Sequence, residues 1–239
     1  MTHIVITGAA GALGLAVTRH LAHSQRTSNP IFSLLDRPAG REPMAVLAKE
    51  IARRASVWTL DLASPAEWEP VASALVSAHG PPTHVVLTAG GWQGGAPVHA
   101  SKDARSYPAM MASNVDTTYY ALQTLLPSMV KAGRGAIVLI GSRAAVRPES
   151  SAGAAAYAAS KSAVVALAES VAREVIHFGV RINAVLPSTL DTPANRAAMP
   201  DADATRWVSL SSCAGVIDFL LSDEARDISG AALPLYGRA

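Results

Sequence analysis

Ile4-Val5-Ile6-Thr7-Gly8-Ala9-Ala10-Gly11-Ala12-Leu13-Gly14 sets a short β-branched run directly against a glycine-punctuated turn. Apolar residues at Leu13, Val17 and Leu21 then recur at helical spacing. Strand, turn and helix in that order are the setting in which T-G-x-x-G-x-x-G becomes a dinucleotide-binding hypothesis. Gly8 permits the tight turn, Gly11 lets N–H groups at the helix N-terminus approach a pyrophosphate, and Gly14 lets helix and strand pack closely. Ala10, Ala12 and Leu13 lie in the same turn and count with it as candidate cofactor contacts. Taken alone, the pattern also fits an ordinary strand–helix turn.

Further along, β-branched runs recur at Ile31 to Leu35, Val57 to Leu60, Val85 to Leu87, Ile137 to Ile140 and Val180 to Leu186, with helical patterns between them. Such runs read as strands buried on both faces, and strand-helix alternation predicts an α/β, doubly wound parallel sheet. Ser64-Pro65-Ala66-Glu67 predicts a helix start with a capping serine, an N1 proline and an N3 acid. In such a sheet ligands bind beyond the carboxyl ends of the strands, so chemistry is sought in the residues after each strand. The stretch from about Pro187 to Asp203 predicts a long irregular loop and a candidate substrate lid.

The 239 residues, half of them apolar and 16% charged, fit one domain spanning 1–239. Twenty Lys and Arg against 18 Asp and Glu, with no basic run, lack the footprint of a nucleic-acid binder. A single cysteine, Cys213, excludes an intramolecular disulfide scaffold and a thiolate metal cluster. The histidines are scattered, so no metal site is expected. The apolar stretch Ala152 to Ala172 carries Lys161 and Glu169, which argues against a membrane span, and Met1-Thr2-His3 runs into the first strand without a leader. The expectation is a cytoplasmic protein that meets neither nucleic acid nor membrane.

Asp36 ends the second strand at about the offset where an acid accepts from the adenosine ribose hydroxyls and repels a 2′-phosphate, which favours NAD. Arg37 follows and is able to pair with a 2′-phosphate, so NADP stays open. Asp61, with Leu62 beside it, ends the third strand where it would accept from the adenine amino group; a loop acid or cap is the other reading. Tyr157-Ala158-Ala159-Ser160-Lys161 puts a phenol and an ammonium one helical turn apart on one face. A nearby ammonium and an oxidised nicotinamide would each favour phenolate, and such a pair is able to move a proton.

These residues, with Thr88-Ala89-Gly90, Asn114, Gly141-Ser142, Asn183 and Pro187 to Thr192, occur in the order seen in short-chain dehydrogenases/reductases, which the chain resembles over nearly its whole length. The resemblance implies a Rossmann-type sheet of about seven parallel strands flanked by helices on both faces, a nicotinamide cofactor, a small-molecule substrate and a homodimer or homotetramer. It implies Tyr157 as general acid/base, Lys161 on the nicotinamide ribose and lowering the tyrosine pKa, Ser142 orienting the substrate oxygen, and Asn114 supporting a water-linked proton path. Ala89, Gly90 and Gly91 would lie against the cofactor, as would Pro187, Thr189, Leu190 and Thr192. The interval from Ser142 to Tyr157 is about two residues long for that family, around Glu149 to Gly153, so Ser150 and Ser151 stay open as substitutes for Ser142.

Within the family, the glycine-rich loop Thr88 to Gly95 and the segment Leu186 to Arg196, followed by Met199 to Asp203 and Trp207, resemble the dihydropteridine reductases. That implies a pterin-like substrate, with Trp92 and Trp207 stacking on it and Arg196 contacting it; core packing and a surface charge are the plainer readings. Ser142 and Asn114 depart from that branch, as a serine and asparagine suit ordinary carbonyl or alcohol chemistry. The glycine spacing also resembles regulatory branches, so a non-catalytic, redox-sensing NAD(P) binder is the competing expectation.

Overall fold

The computed structural model describes residues 2–26, 29–51 and 54–238. Among them, strands β1 (His3–Thr7), β2 (Ile31–Asp36), β3 (Ala55–Thr59), β4 (His84–Leu87), β5 (Gly135–Ile140), β6 (Val180–Pro187) and β7 (Ala232–Leu235) form one parallel sheet in the order β3-β2-β1-β4-β5-β6-β7. The order reverses direction between β1 and β4, the switch point at which such sheets open a crevice for ligand.

Successive strand residues feed opposite cores. Val5, Leu35, Val85, Ile137, Leu139 and Ile182 face one layer, while Ile4, Ile6, Phe32, Leu34, Val86 and Val138 face the other. This is why the strands read as continuous apolar runs. The first layer is covered by α3 (Pro65–His79), α5 (Thr117–Ala132) and α7 (Ala155–Val175), which contribute Trp68, Leu75, Leu122, Leu125 and Val164. The second is covered by α1 (Ala12–His23), α2 (Arg41–Glu50) and α9 (Leu210–Leu221), through Val17, Leu21, Met44, Leu47 and Ile217. Each such side chain withdrawn from water contributes about 1.5–3 kcal/mol before its ordering cost. Short helices α4 (Ser106–Met110), α6 (Arg143–Val146) and α8 (Pro193–Ala198) lie at the carboxyl end of the sheet.

Three local expectations change. β7 lies outside the six β-branched runs because Pro234 and the exposed Leu233 break the apolar pattern of a strand that pairs only with β6. At the start of α3, Ser64 makes no side-chain cap; Glu67 instead accepts from the Asp61 amide at 2.8 Å and braces the loop after β3. The stretch 187–203 is not an irregular loop: it holds α8 and is closed by a bridge between Leu190 and Val208. The alanine-rich stretch around Lys161 is α7, packed against β6, and no helix among the described residues is long and apolar enough to cross a membrane.

Candidate active site

The turn after β1 has the conformation its glycines allow. Gly8 sits at φ +64°, and a Cβ there would lie 2.6 Å from the Ala89 nitrogen, so both backbone angle and space exclude a side chain. A Cβ on Gly14 would run into the Gly8 carbonyl and come within 2.7 Å of Ala9 Cα, which is why α1 starts so close to β1. Gly11 is the N-cap residue of α1, with no side-chain cap and no acid in the first turn. The amides of that helix end are therefore left to face an anion.

This turn forms one wall of a cavity of about 850 Å³. Gly8, Ala10 and Gly11 meet Asp36 and Arg37 on one side and Asp61 and Leu62 on another, with Ala89, Gly90, Gly91 and Trp92 opposite. Asp36 Oδ2 accepts the Ala10 amide hydrogen at 2.9 Å and Oδ1 that of Arg37 at 2.8 Å. Asp61 Oδ1 accepts from the Ala63 amide at 3.0 Å, so it shapes its own turn as well as lining the cavity. Ser113 Oγ lies at the cavity wall, buried and without a protein partner. A glycine cradle, a free helix end and an unpaired buried hydroxyl together fit a dinucleotide.

Gly40 and Ser113 are among the lining residues that escaped the sequence reading. Gly40 packs where a Cβ would fall 2.7 Å from Ala10 Cβ and 2.8 Å from Asp36 Cβ; the Pro38-Ala39-Gly40 turn just after the strand-end acid was its signal. Ser113 had no signal beyond its place before Asn114.

Gly90 links this cavity to the titratable groups. A Cβ on it would lie 2.6 Å from Asn114 Oδ1 and 3.3 Å from Lys161 Nζ. Asn114 is fully buried in the π-helical turn Met111–Asp116 between α4 and α5, a type of distortion frequent at functional sites. Its Oδ1 accepts from the Gly91 amide at 3.0 Å, and its Nδ2 donates to Gly91 O and to Ser160 Oγ, both at 3.1 Å. Ser160 Oγ in turn donates to Tyr157 O at 2.8 Å. The side chain thereby clips the loop after β4 to α7.

Lys161 is buried and donates from Nζ to Ile140 O at 2.9 Å; burial pulls its pKa down to about 8. Tyr157 departs from expectation: burial raises its phenol pKa, with a hydrogen bond from Ser142 acting the other way, while the lysine expected to lower it is spent on Ile140. Ser142 caps α6, its Oγ accepting from the Ala144 amide at 3.2 Å, so its own hydrogen is left for an oxygen in front of it. The longer interval between Ser142 and Tyr157 is taken up by a 3-10 turn at Pro148–Ser151; Ser150 is exposed and donates to Arg147 O.

Among the remaining expected residues Trp92 lines the cavity, whereas Pro187, Thr189, Leu190, Thr192, Arg196 and Trp207 do not. Pro187 ends β6, and Thr192 caps α8 by accepting from the Asn195 amide at 3.1 Å. Thr189 O accepts a hydrogen bond from the Val208 amide at 2.9 Å, and Leu190 forms a bridge with Val208. Arg196, expected on a substrate, is 61% exposed and engages both oxygens of Asp191 at 2.6 and 2.9 Å. Trp92 is 65% exposed at the cavity, whereas Trp207 is half-buried with its carbonyl near Gly237. Asn183 serves the sheet, bonding Ile228 O and the Ala231 amide.

The family model for short chain dehydrogenase matches residues 2–203. The chain belongs to the short-chain dehydrogenases. Among relatives of this short-chain dehydrogenase are 2,5-dichloro-2,5-cyclohexadiene-1,4-diol dehydrogenase LinX of Sphingobium indicum, 29% identical over 98% of this chain and 94% of that protein. Galactitol 2-dehydrogenase of Rhizobium johnstonii is 30% identical over 95% and 90% respectively. A short-chain type dehydrogenase/reductase from Mycobacterium ulcerans superposes with a TM-score of 0.88 at 25% identity, over 99% of this chain and 89% of that one.

Proposed function

We propose that this short-chain dehydrogenase exchanges a hydride between a nicotinamide dinucleotide and a small secondary alcohol or its ketone, with Tyr157 as general acid/base. One observation carries the reading: the Tyr157 phenol is hydrogen-bonded to Ser142 and one helical turn from the buried Lys161, whose Nζ lies 3.3 Å from the place a Cβ on the cavity-lining Gly90 would take. In the reducing direction Tyr157 gives its proton to the carbonyl oxygen, and a phenol whose pKa burial has raised is fully protonated for that task at neutral pH. Ser142, whose hydrogen engages the Tyr157 oxygen when no substrate is present, turns it to the carbonyl oxygen and holds that oxygen in place. Lys161, charged below about pH 8 and held to Ile140 O by one of its hydrogens, keeps the others for the ribose hydroxyls of the nicotinamide. Asn114, with its amide fully engaged, keeps Gly90 and Gly91 at the correct distance rather than moving a proton itself.

Asp36 supports preference for NADH, and the relatives, a cyclic diol dehydrogenase and a galactitol dehydrogenase, support a hydroxylated or cyclic substrate. The exposed Trp92 on its glycine-rich loop supports quinonoid dihydropterin as the second substrate reading. The single, buried Cys213 fits a protein of the reducing cytoplasm, and assembly as a homodimer or homotetramer is part of the same proposal.

The test is NADH and NADPH oxidation with cyclohexanone and with freshly generated quinonoid dihydropterin, and NAD reduction with cyclohexanol and galactitol. Turnover with the ketone or alcohols is expected. Rapid turnover with the dihydropterin alone would replace the alcohol reading with the pterin one. Tight NADH binding with no turnover on any of them would leave the redox-sensor reading standing.

A further inference from the structure

The segment after β7 crosses back over the carboxyl end of the sheet and touches three separate parts of the chain. Leu235 O accepts from the Ser188 amide at 3.0 Å, and Tyr236 O accepts from Ser188 Oγ at 2.7 Å. The Arg143 guanidinium, next to Ser142, lies over the Tyr236 ring at 5.9 Å. Gly237 then turns at φ +64°, where a Cβ would fall 2.7 Å from Arg206 O, and Arg238 closes a reciprocal pair. Its amide donates to Arg206 O at 3.0 Å, while Arg206 Nε and Nη2 both donate to Arg238 O, at 3.1 and 3.0 Å.

From Arg206 the constraint passes to the segment after β6. Val208 donates to Thr189 O at 2.9 Å and accepts from the Asp191 amide at 2.8 Å. The loop that holds α8 is therefore pinned at its base, and the pin is pinned in turn by Arg238. We infer that Leu235–Arg238 is a positioning strap for this loop, with Arg206 as the positioning residue that fastens it, and that it sets the substrate-binding side of the reaction proposed above, on which the inference rests.

Two features favour positioning over stability. The fork between Arg206 and Arg238 is exposed, where such bonds add little to folding. It also acts on a planar two-donor geometry that lysine cannot reproduce. Ser188 keeps its own bonds to Leu235 and Tyr236, so losing Arg206 loosens the far end of the loop, from Asp191 to Val208, while the part at Pro187 stays held.

The experiment compares wild type with Arg206→Ala, Arg206→Lys and Gly237→Ala. It measures amide hydrogen exchange, NADH affinity by fluorescence, and steady-state kinetics on whichever probe of the panel above the wild type turns over. Arg206→Ala and Gly237→Ala are expected to speed exchange at Asp191 and Val208 at least tenfold and to leave β1 and β4 unchanged. They should raise KM for the probe at least fivefold, with kcat and the NADH Kd within twofold, and Arg206→Lys should fall between. Unchanged exchange at Asp191 and Val208 overturns the strap, and faster exchange with unchanged KM overturns its positioning role. If the wild type turns over none of the probes, the alcohol reading is lost, while exchange still decides whether the strap exists.

Discussion

Asp36 Oδ2 accepts the amide hydrogen of Ala10 across 2.9 Å, so the acid at the end of β2 and the glycine turn after β1 act as one unit. A carboxylate fixed in that way stands at one edge of the cavity. It would repel a 2′-phosphate there and also hold the turn that meets the pyrophosphate. Asp36→Ala should shift the NADPH-to-NADH affinity ratio toward NADPH by about tenfold and weaken NADH itself, because an unpaired Ala10 amide costs about 1–3 kcal/mol. Fluorescence titration with both cofactors reads the ratio; an unchanged ratio would show that Asp36 does not select.

Tyr157→Phe keeps the ring and removes the proton that the reaction needs. Turnover should fall by about 10²–10⁴, the usual contribution of a positioned acid or base, with NADH affinity retained. Ser142→Ala should fall less, since the phenol remains and only the second donor to the oxygen is lost. A redox sensor would bind NADH equally well as wild type, Tyr157→Phe and Ser142→Ala, and would show no turnover in any of them.

The parts legible in the sequence are those governed by local pattern. β1, β2, β4, β5 and β6 read as strands because their runs are continuous and largely buried on both faces, while the edge strand β3 is half-buried throughout, and Gly8, Gly11 and Gly14 read as a turn because strand and helix flank them closely. The spacing of Tyr157 and Lys161 places them one turn apart in α7 without tertiary information. What stayed hidden depends on long-range contact. Gly40 matters because Ala10 and Asp36 press on it, and Glu67 leaves its own helix end for Asp61. The segment 187–203 looks irregular until Val208 and Arg238 are beside it. The burial that raises the Tyr157 phenol pKa was hidden for a similar reason: it is set by the whole fold, and Ile140 O, distant in sequence, occupies a Lys161 hydrogen.

Lys161 offers a test by pH. Burial brings its folded pKa to about 8, against an ordinary 10.5, so between these values the unfolded chain binds a proton that the folded one has released. Stability attributable to this group therefore rises as pH increases from about 8 toward 10.5 and is flat below that window. Lys161→Met lacks the term. Its stability relative to wild type should be highest near pH 7 and should decline through the window, as denaturant midpoints at pH 7, 8, 9 and 10 would report. Reductive turnover of the wild type should fall over the same lower edge, near pH 8, as the ammonium is lost. A constant difference between the two proteins across all four pH values would remove the titration from Lys161.

Gly90 and Gly91 are neighbours in sequence with different tolerances. A Cβ on Gly90 would sit 2.6 Å from Asn114 Oδ1, and that oxygen has no room to retreat because it accepts from the Gly91 amide in a fully buried site. Gly90→Ala should therefore cost about 1–3 kcal/mol as an overpacked substitution and displace the clip between the loop after β4 and α7. On Gly91 the nearest atoms to a Cβ are Ser113 Oγ at 3.5 Å and Met110 Cε at 3.8 Å, ordinary contacts, so Gly91→Ala should stay within about 0.5 kcal/mol of wild type. Thermal unfolding of both variants without cofactor makes the comparison free of ligand effects. Equal melting temperatures would mean that Asn114 moves aside, and that the close approach of Gly90 is not what holds Asn114 and Lys161 beside the cavity.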